Sequence, residues 1–247
     1  MKYEDHLHAN GFAFVPGHWY DHAYRNGTRR ETSVRSEAEY VLHHYENLTL
    51  DEYSPGNRLR AYVQCRIDNA GSPEFGHFEP YFQTKAYNPD TGGIVRSYPV
   101  IHRAVLENDL FRFLITDDIR FVEQYGGIGD PRDTMIGIHL FRYLASSAAP
   151  AFSSPARLHR DDEDVVFIHL LALSKNARGA DNIIASDSRH IERVMRLERP
   201  LDTLVVNHAK LHAVTPLWCD NEDSEGHETA CTRDVILVTF QKRSTHE

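Results

Sequence analysis

His159-Arg160-Asp161 and, further along the chain, His212 in Lys210-Leu211-His212-Ala213-Val214 combine two imidazoles with one carboxylate. That donor set can hold a divalent metal on one face and leave the remaining coordination positions open, as in mononuclear non-haem iron sites. In an extended segment residues i and i+2 project to the same side, about 6–7 Å apart. His159 and Asp161 can therefore grip one ion from a strand mouth or an extended loop, and the third ligand must come from elsewhere in the fold. Neutral imidazoles with a hard carboxylate suit Fe(II), Mn(II) or Ni(II) as well as zinc. With 16 histidines in the chain, about one H-x-D pair is expected by chance, so the motif alone is weak. Three H-x-E pairs are also present: His44/Glu46, His77/Glu79 and His190/Glu192. His208, four residues before His212, competes as a third ligand.

The elements that must position these residues are read from hydrophobic period. Gly11 to Pro16 is a short strand. Ser36 to Asn47 has a helical pattern with a cap-like Ser36. Leu59 to Asp68 alternates, with Ala61, Val63, Cys65 and Ile67 opposite Tyr62, Gln64, Arg66 and Asp68, which predicts a half-buried strand. Asn88 to Gly93 is a turn by composition, and Ile101 to Gln124 carries one or two helices. From Met135 onward strands dominate: Met135 to Leu144, Asp164 to Ser174, Asn182 to Ser186, Pro200 to Asn207, Leu211 to Leu217 and Asp234 to Lys242. His190 to Leu197 reads as a short helix. The apolar run Val165 to Leu171 suits a strand buried on both faces. Many short strands behind a helical front predict a mainly β fold braced by helices, a sandwich or jelly roll. The acidic stretch from Trp218 to Thr232 reads as a solvated loop, with a lid as the functional alternative.

Composition narrows the classes. At 247 residues the chain fits a single domain, 1–247. A net charge of −9 argues against nucleic acid or an anionic membrane as partner. Three cysteines without a CxxC pair predict neither a disulfide framework nor a thiolate zinc site, and fit a reducing cytoplasm. The start of the chain is polar, with no secretory signal, and no apolar run approaches the roughly 20 residues of a membrane span.

The residues around the H-x-D pair, Arg157-Leu158-His159-Arg160-Asp161-Asp162-Glu163-Asp164-Val165-Val166-Phe167-Ile168-His169-Leu170, carry a resemblance. They are similar to the H-x-D-x-E-D-x-V-F-I-x-L run of the bacterial Fe(II)/2-oxoglutarate dioxygenases that hydroxylate free L-amino acids, the group containing isoleucine dioxygenase. Asp202-Thr203-Leu204, Leu211-His212-Ala213-Val214-Thr215-Pro216-Leu217, Arg233 to Phe240 and Tyr87 to Gly93 resemble further segments of the same family. The resemblance spans roughly Tyr81 to Arg243 and is looser in the first third. It implies a double-stranded β-helix, a cupin-like jelly roll. It implies Fe(II), 2-oxoglutarate and O2 as cofactor and co-substrates, with His159, Asp161 and His212 as metal ligands, and it favours His212 over His208. It implies Arg233 as partner of the distal oxoglutarate carboxylate, with Arg243 the lesser alternative. The spacing from His212 to Arg233 exceeds the usual one, and the acidic insert accounts for the excess.

On the strand before the H-x-D segment, His139, Phe141 and Tyr143 share one face. His139 and Tyr143 are expected to border the co-substrate. A free amino acid needs a cation for its carboxylate and an acceptor for its ammonium. Arg142, Arg120, Arg60 and Arg66 are candidates for the first role, and Glu79, Asp162 and Glu163 for the second. Tyr81 and its aromatic neighbours are candidates for the apolar wall. The expected function is hydroxylation of an aliphatic C–H bond of a free L-amino acid, coupled to conversion of 2-oxoglutarate to succinate and CO2. A peptide or natural-product substrate, a cupin-type metalloenzyme that does not use 2-oxoglutarate, and a non-catalytic binding module are the rival readings. A homodimer is left open.

Overall fold

The structure is a computed structural model that describes residues 3–28, 33–54, 56–69, 71–85, 92–153, 155–220 and 229–242. Most of the expected 88–93 turn, the centre of the acidic stretch (221–228) with its expected lid, and Arg243 lie outside the described residues. The helices are α1 (Tyr3–Asn10), α2 (Gly17–Thr28), α3 (Val34–His43), α4 (Arg103–Leu106) and α5 (Asp109–Phe121). The strands are β1 (Phe12–Val15), β2 (Thr49–Leu50), β3 (Arg58–Ile67), β4 (Pro73–Gly76), β5 (Tyr81–Phe82), β6 (Val95–Arg96), β7 (Thr134–Ser146) and β8 (Val165–Leu173). They continue as β9 (Ala177–Gly179), β10 (Asn182–Asp187), β11 (His190–Met195), β12 (Thr203–Asn207), β13 (Leu211–Val214), β14 (Leu217–Cys219) and β15 (Ala230–Lys242).

A large sheet runs in the order β1-β12-β8-β15-β7-β3-β2, with β4 added beside β3. A small sheet, β11-β10-β13, and the pair β14-β9 lie against it and close a jelly roll, the expected mainly β fold. Period 2 divides the large sheet's side chains between two cores. Ala61, Val63, Ile136, Ile138, Leu140, Phe167, Ile236 and Val238 pack on α1, α2, α3 and α5. Phe141, Tyr143, Ile168, Leu170 and Val235 face the small sheet. The site lies on this second face.

One buried polar anchor fastens the helices to the sheet. His169 on β8 meets the Asp118 carboxylate of α5 at Nε2 (2.8 Å) and the Thr203 hydroxyl of β12 at Nδ1 (2.8 Å). Both members of the pair are shielded from water, and burial raises the Asp118 carboxyl above its ordinary range while His169 pulls it back. Removing one partner of such a pair strands the other in a medium that cannot solvate it. Asp118→Ala is expected to lower the unfolding free energy by about 3 kcal/mol in urea titrations. A loss under about 1 kcal/mol would show that the anchor contributes little.

Four sequence expectations are corrected. His190–Met195 is strand β11, not a helix. Its pairing with β10 shifts register between Ile184/Ala185 and Ala185/Asp187, and the bulge inserts one residue between Ile191 and Val194. The two apolar residues then share a face at a spacing of three, which imitates a helical period. Helix α3 begins earlier than expected, capped by Ser33, whose side chain accepts from the Ser36 backbone amide. The second face of β3 is not solvated: Arg58, Arg60, Tyr62 and Gln64 are buried. Cys219 and Cys231, expected unpaired, form a disulfide between β14 and β15, with Cα atoms 5.7 Å apart, and Cys65 is a free buried thiol. Among the described residues no helix is long and apolar enough to cross a membrane.

Candidate active site

The antiparallel order of the large sheet lays β15, β7 and β3 side by side, and register fixes which residues share a row. Arg233, Tyr143 and Arg58 form one row, Val235, Phe141 and Arg60 the next, Leu237, His139 and Tyr62 a third, and Thr239, Gly137 and Gln64 a fourth. The first two rows lie on the floor of a cavity, along with Leu237 and His139 of the third and Thr239 of the fourth; the opposite wall carries His159, Asp161, Glu163, His212 and Val214.

His159 and His212 are brought together by the backbone. Each donates its amide to the other's carbonyl, at 3.0 and 2.9 Å, in an isolated antiparallel bridge. Such a pair projects its side chains to the same side, and the two rings stand 4.5 Å apart. Asp161, two residues on, turns back between them: Nε2 of His159 lies 3.3 Å from one carboxylate oxygen and Nε2 of His212 lies 3.1 Å from the other. One ligand atom from each of the three lies within 4.8 Å of the others, the sole such group among the described residues. The His159 Nδ1 donates to the Arg157 carbonyl at 2.8 Å, so its Nε2 lone pair points into the cluster, the tautomer that a metal ligand requires. Burial works against the Asp161 charge, yet His212 and His159 hold its carboxyl below the ordinary range. Three convergent donors with no fourth side chain among them suit a divalent ion that keeps open positions.

Arg233, at the start of β15, is 3 % exposed and its Nη2 has no hydrogen-bond partner. Burial lowers its pKa, opposed by Tyr143, whose ring lies 5.6 Å from the guanidinium carbon. A buried guanidinium with an unused donor calls for an anion, and a carboxylate answers it with two charge-assisted hydrogen bonds. Two strands away, on β3, Arg58 is held by Asp51 through Nε (3.1 Å) and Nη2 (2.5 Å). Arg60 lies 3.6 Å from the same carboxylate and 3.6 Å above the Tyr98 ring. Its Nη2 donates to His139 Nδ1 at 2.8 Å. A guanidinium can only donate, so the His139 proton sits on Nε2. Burial, then Arg60 and Arg58, drives the His139 pKa well down and keeps the ring neutral. His139 is thus a fixed neutral donor on the cavity floor.

The structure brings His159, Asp161, His212, Arg233, His139, Tyr143 and Tyr81 around one cavity. It sets two expected substrate residues elsewhere. Arg142 points to the other face of β7, where Asp234 accepts from Nε (2.8 Å) and Nη2 (2.9 Å). Glu79 lines a separate cleft and pairs with Arg66 at 3.5 Å. Arg120 is exposed on α5, and His208, 66 % exposed, sits beside Asp164 rather than in the cluster. Of the acids considered, Glu163 lines the cavity, its carboxyl pushed up to about 8 by burial and then by Asp161. Arg58, Gln83 and Arg96 also line it and were not anticipated. For Arg58 the signal was present: Arg58, Arg60, Tyr62 and Gln64 alternate with the apolar face of β3. Arg96 sits in a two-residue strand and offers no pattern.

Comparison with known proteins identifies the family. A family model described as 2OG-Fe dioxygenase matches residues 42–239. The chain is 48% identical over 242 residues to "3(1)-hydroxy-L-isoleucine 4-dioxygenase" of Pantoea ananatis, covering 98% of this chain and 96% of the other. It is 40% identical over 203 residues to "L-isoleucine-4-hydroxylase" of Bacillus thuringiensis, covering 81% of each. The crystal structure of IDO from Bacillus thuringiensis superposes with a TM-score of 0.79 at 30% identity, over 98% of this chain and 95% of that one. The family uses iron, 2-oxoglutarate and O2, and a two-histidine, one-carboxylate cluster facing a buried arginine fits an iron and a dicarboxylate. By the extent of these matches, the chain belongs to the 2OG-Fe dioxygenase family.

Proposed function

We infer that His159, Asp161 and His212 hold the iron, that Arg233 with Tyr143 holds the distal carboxylate of 2-oxoglutarate, and that the reaction hydroxylates an aliphatic C–H bond of a free L-amino acid of the isoleucine type at C4. The observation that carries this reading is the convergence of the three ligand atoms within 4.8 Å, in a cavity that also holds a buried arginine with an unused donor. Both curated relatives bear names that specify position 4 of an isoleucine skeleton. The rival of a cupin-type enzyme that does not use 2-oxoglutarate leaves Arg233 without a task.

Bound iron supplies the redox chemistry that couples decarboxylation of 2-oxoglutarate by O2 to hydroxylation of carbon. The chain supplies position and exclusion of water. The Arg157 carbonyl fixes the His159 ring so that Nε2 is presented. Arg233 sets one end of the co-substrate, and the neutral His139 offers its Nε2 proton to an anionic oxygen without competing for the metal. Phe141, Ile168, Val214, Val235 and Leu237 make the cavity's apolar surface, which suits a branched aliphatic side chain.

Protein reconstituted with Fe(II) under anaerobic conditions and then given O2, 2-oxoglutarate and a panel of free L-amino acids tests the reading. The panel includes L-isoleucine and its side-chain-hydroxylated form. Mass spectrometry is expected to show the gain of a single oxygen on an isoleucine-type member with matching succinate. Succinate no higher with any amino acid than without one would overturn it.

A further inference from the structure

Arg96, Gln83 and Glu163 form a polar chain across one wall of the cavity, away from Arg233. Gln83 follows β5, and Arg96 closes β6, the strand paired with β5. The Gln83 amide stands between the other two: its oxygen accepts from Arg96 Nη1 at 3.3 Å, and its nitrogen donates to Glu163 Oε1 at 3.5 Å. Arg96 is 5 % and Glu163 8 % exposed, and all three side chains line the cavity that holds the iron-ligand cluster.

A carboxylate offers about four acceptor positions. Here the side-chain contact is a single long hydrogen bond from Gln83, and the other contribution is the residue's own backbone amide. A buried acid so thinly satisfied calls for a cationic donor. Among the described residues no lysine or arginine is paired with it. An ammonium group, with three donors, would fill the vacancy. The spacing fits a whole amino acid. The two contacts and the amide between them place the guanidinium nitrogen and the carboxyl oxygen at most about 9 Å apart. An α-amino acid that makes one hydrogen bond of about 2.8 Å at each end spans roughly 7–9 Å. A glutamine amide, donor at one end and acceptor at the other, can bridge such a pair without adding charge.

We propose that Glu163 and Arg96, spaced by Gln83, form the subsite that reads the ammonium and carboxylate of the substrate amino acid. The assignment rests on the amino-acid reading above and adds which side chains enforce it. It separates two anion-binding duties: Arg233 takes the co-substrate's far carboxylate and Arg96 the substrate's own.

The test is anaerobic calorimetry on protein loaded with Fe(II) and then saturated with 2-oxoglutarate. The probes are L-isoleucine, its 2-hydroxy acid analogue, which lacks the ammonium, and L-isoleucinamide, which lacks the carboxylate. Wild-type protein is expected to bind L-isoleucine at least about 30-fold more tightly than either analogue. Glu163→Gln is expected to weaken L-isoleucine by a similar factor and the hydroxy acid by less than about threefold. Arg96→Gln is expected to do the same with the amide as the insensitive probe. Equal weakening of all three probes by either variant would overturn the assignment. So would lost iron in Glu163→Gln, which would tie that residue to the metal loop, or weakened 2-oxoglutarate binding in Arg96→Gln. If wild-type protein takes up iron and 2-oxoglutarate but binds none of the three probes, the amino-acid reading itself fails.

Discussion

Asp161→Ala is expected to reduce bound iron to below about a tenth of wild type and turnover at least about 1,000-fold. Loss of a group that only orients a metal ligand costs 10- to 100-fold, and loss of the ligand itself exceeds that. Asp161 is the hinge of the cluster because it faces both imidazoles, at 3.3 and 3.1 Å. Two neutral imidazoles without it bind a hard divalent ion poorly. The fold is expected to survive, since the His159–His212 bridge is made by backbone groups that the substitution leaves in place. Far-ultraviolet circular dichroism, iron content after anaerobic reconstitution and succinate release check the three parts. His208→Ala serves as the contrast: His208 is exposed and outside the cluster, so its loss is expected to leave iron content within about twofold. Wild-type iron content in Asp161→Ala, or a large loss in His208→Ala, would refute the ligand assignment.

Arg233→Ala is expected to raise KM for 2-oxoglutarate by about 30- to 1,000-fold while iron content stays unchanged. The side chain is buried, and Tyr143 is what opposes the cost of that burial. A buried charge pair broken on one side costs 2–5 kcal/mol, and each 1.4 kcal/mol is tenfold. Arg233→Lys is expected to fall between, because an ammonium keeps the charge and loses the second parallel hydrogen bond. Saturating 2-oxoglutarate is expected to restore much of kcat in the lysine variant. An unchanged KM in Arg233→Ala would move the co-substrate's distal end to another cation, with Arg96 the first to examine.

Much of the fold was legible because its strands are long and their period is clean. The faces of β7, β8 and β15 follow from alternation, which puts His139 and Tyr143 on one face of β7 and Arg142 on the other; which of the two borders the cavity, and with it the loss of Arg142 as a substrate candidate, is set by how the sheet packs. Elements that broke period were misread for local reasons. The bulge in β11 imitated a helix, and the polar face of β3 passed for a solvated one because period reports sidedness and not what covers a side. The Cys219–Cys231 pairing leaves no mark in the sequence, because two thiols 12 residues apart meet only when β14 lies against β15.

The site divides in the same way. Residue identity alone sets the donor types, imidazole, carboxylate and guanidinium, and the segments flanking His159 and His212 mark the family and favour His212 over His208. Which charges remain available is settled by packing in three dimensions. Arg142 is consumed by Asp234, Arg58 by Asp51, and Arg66 meets Glu79, whereas Arg233 keeps an unused donor and Glu163 a thinly satisfied carboxyl. Those outcomes depend on register between strands far apart in sequence, and on burial, which makes an unpaired charge costly. Neither quantity is a property of a residue or of its sequence neighbours.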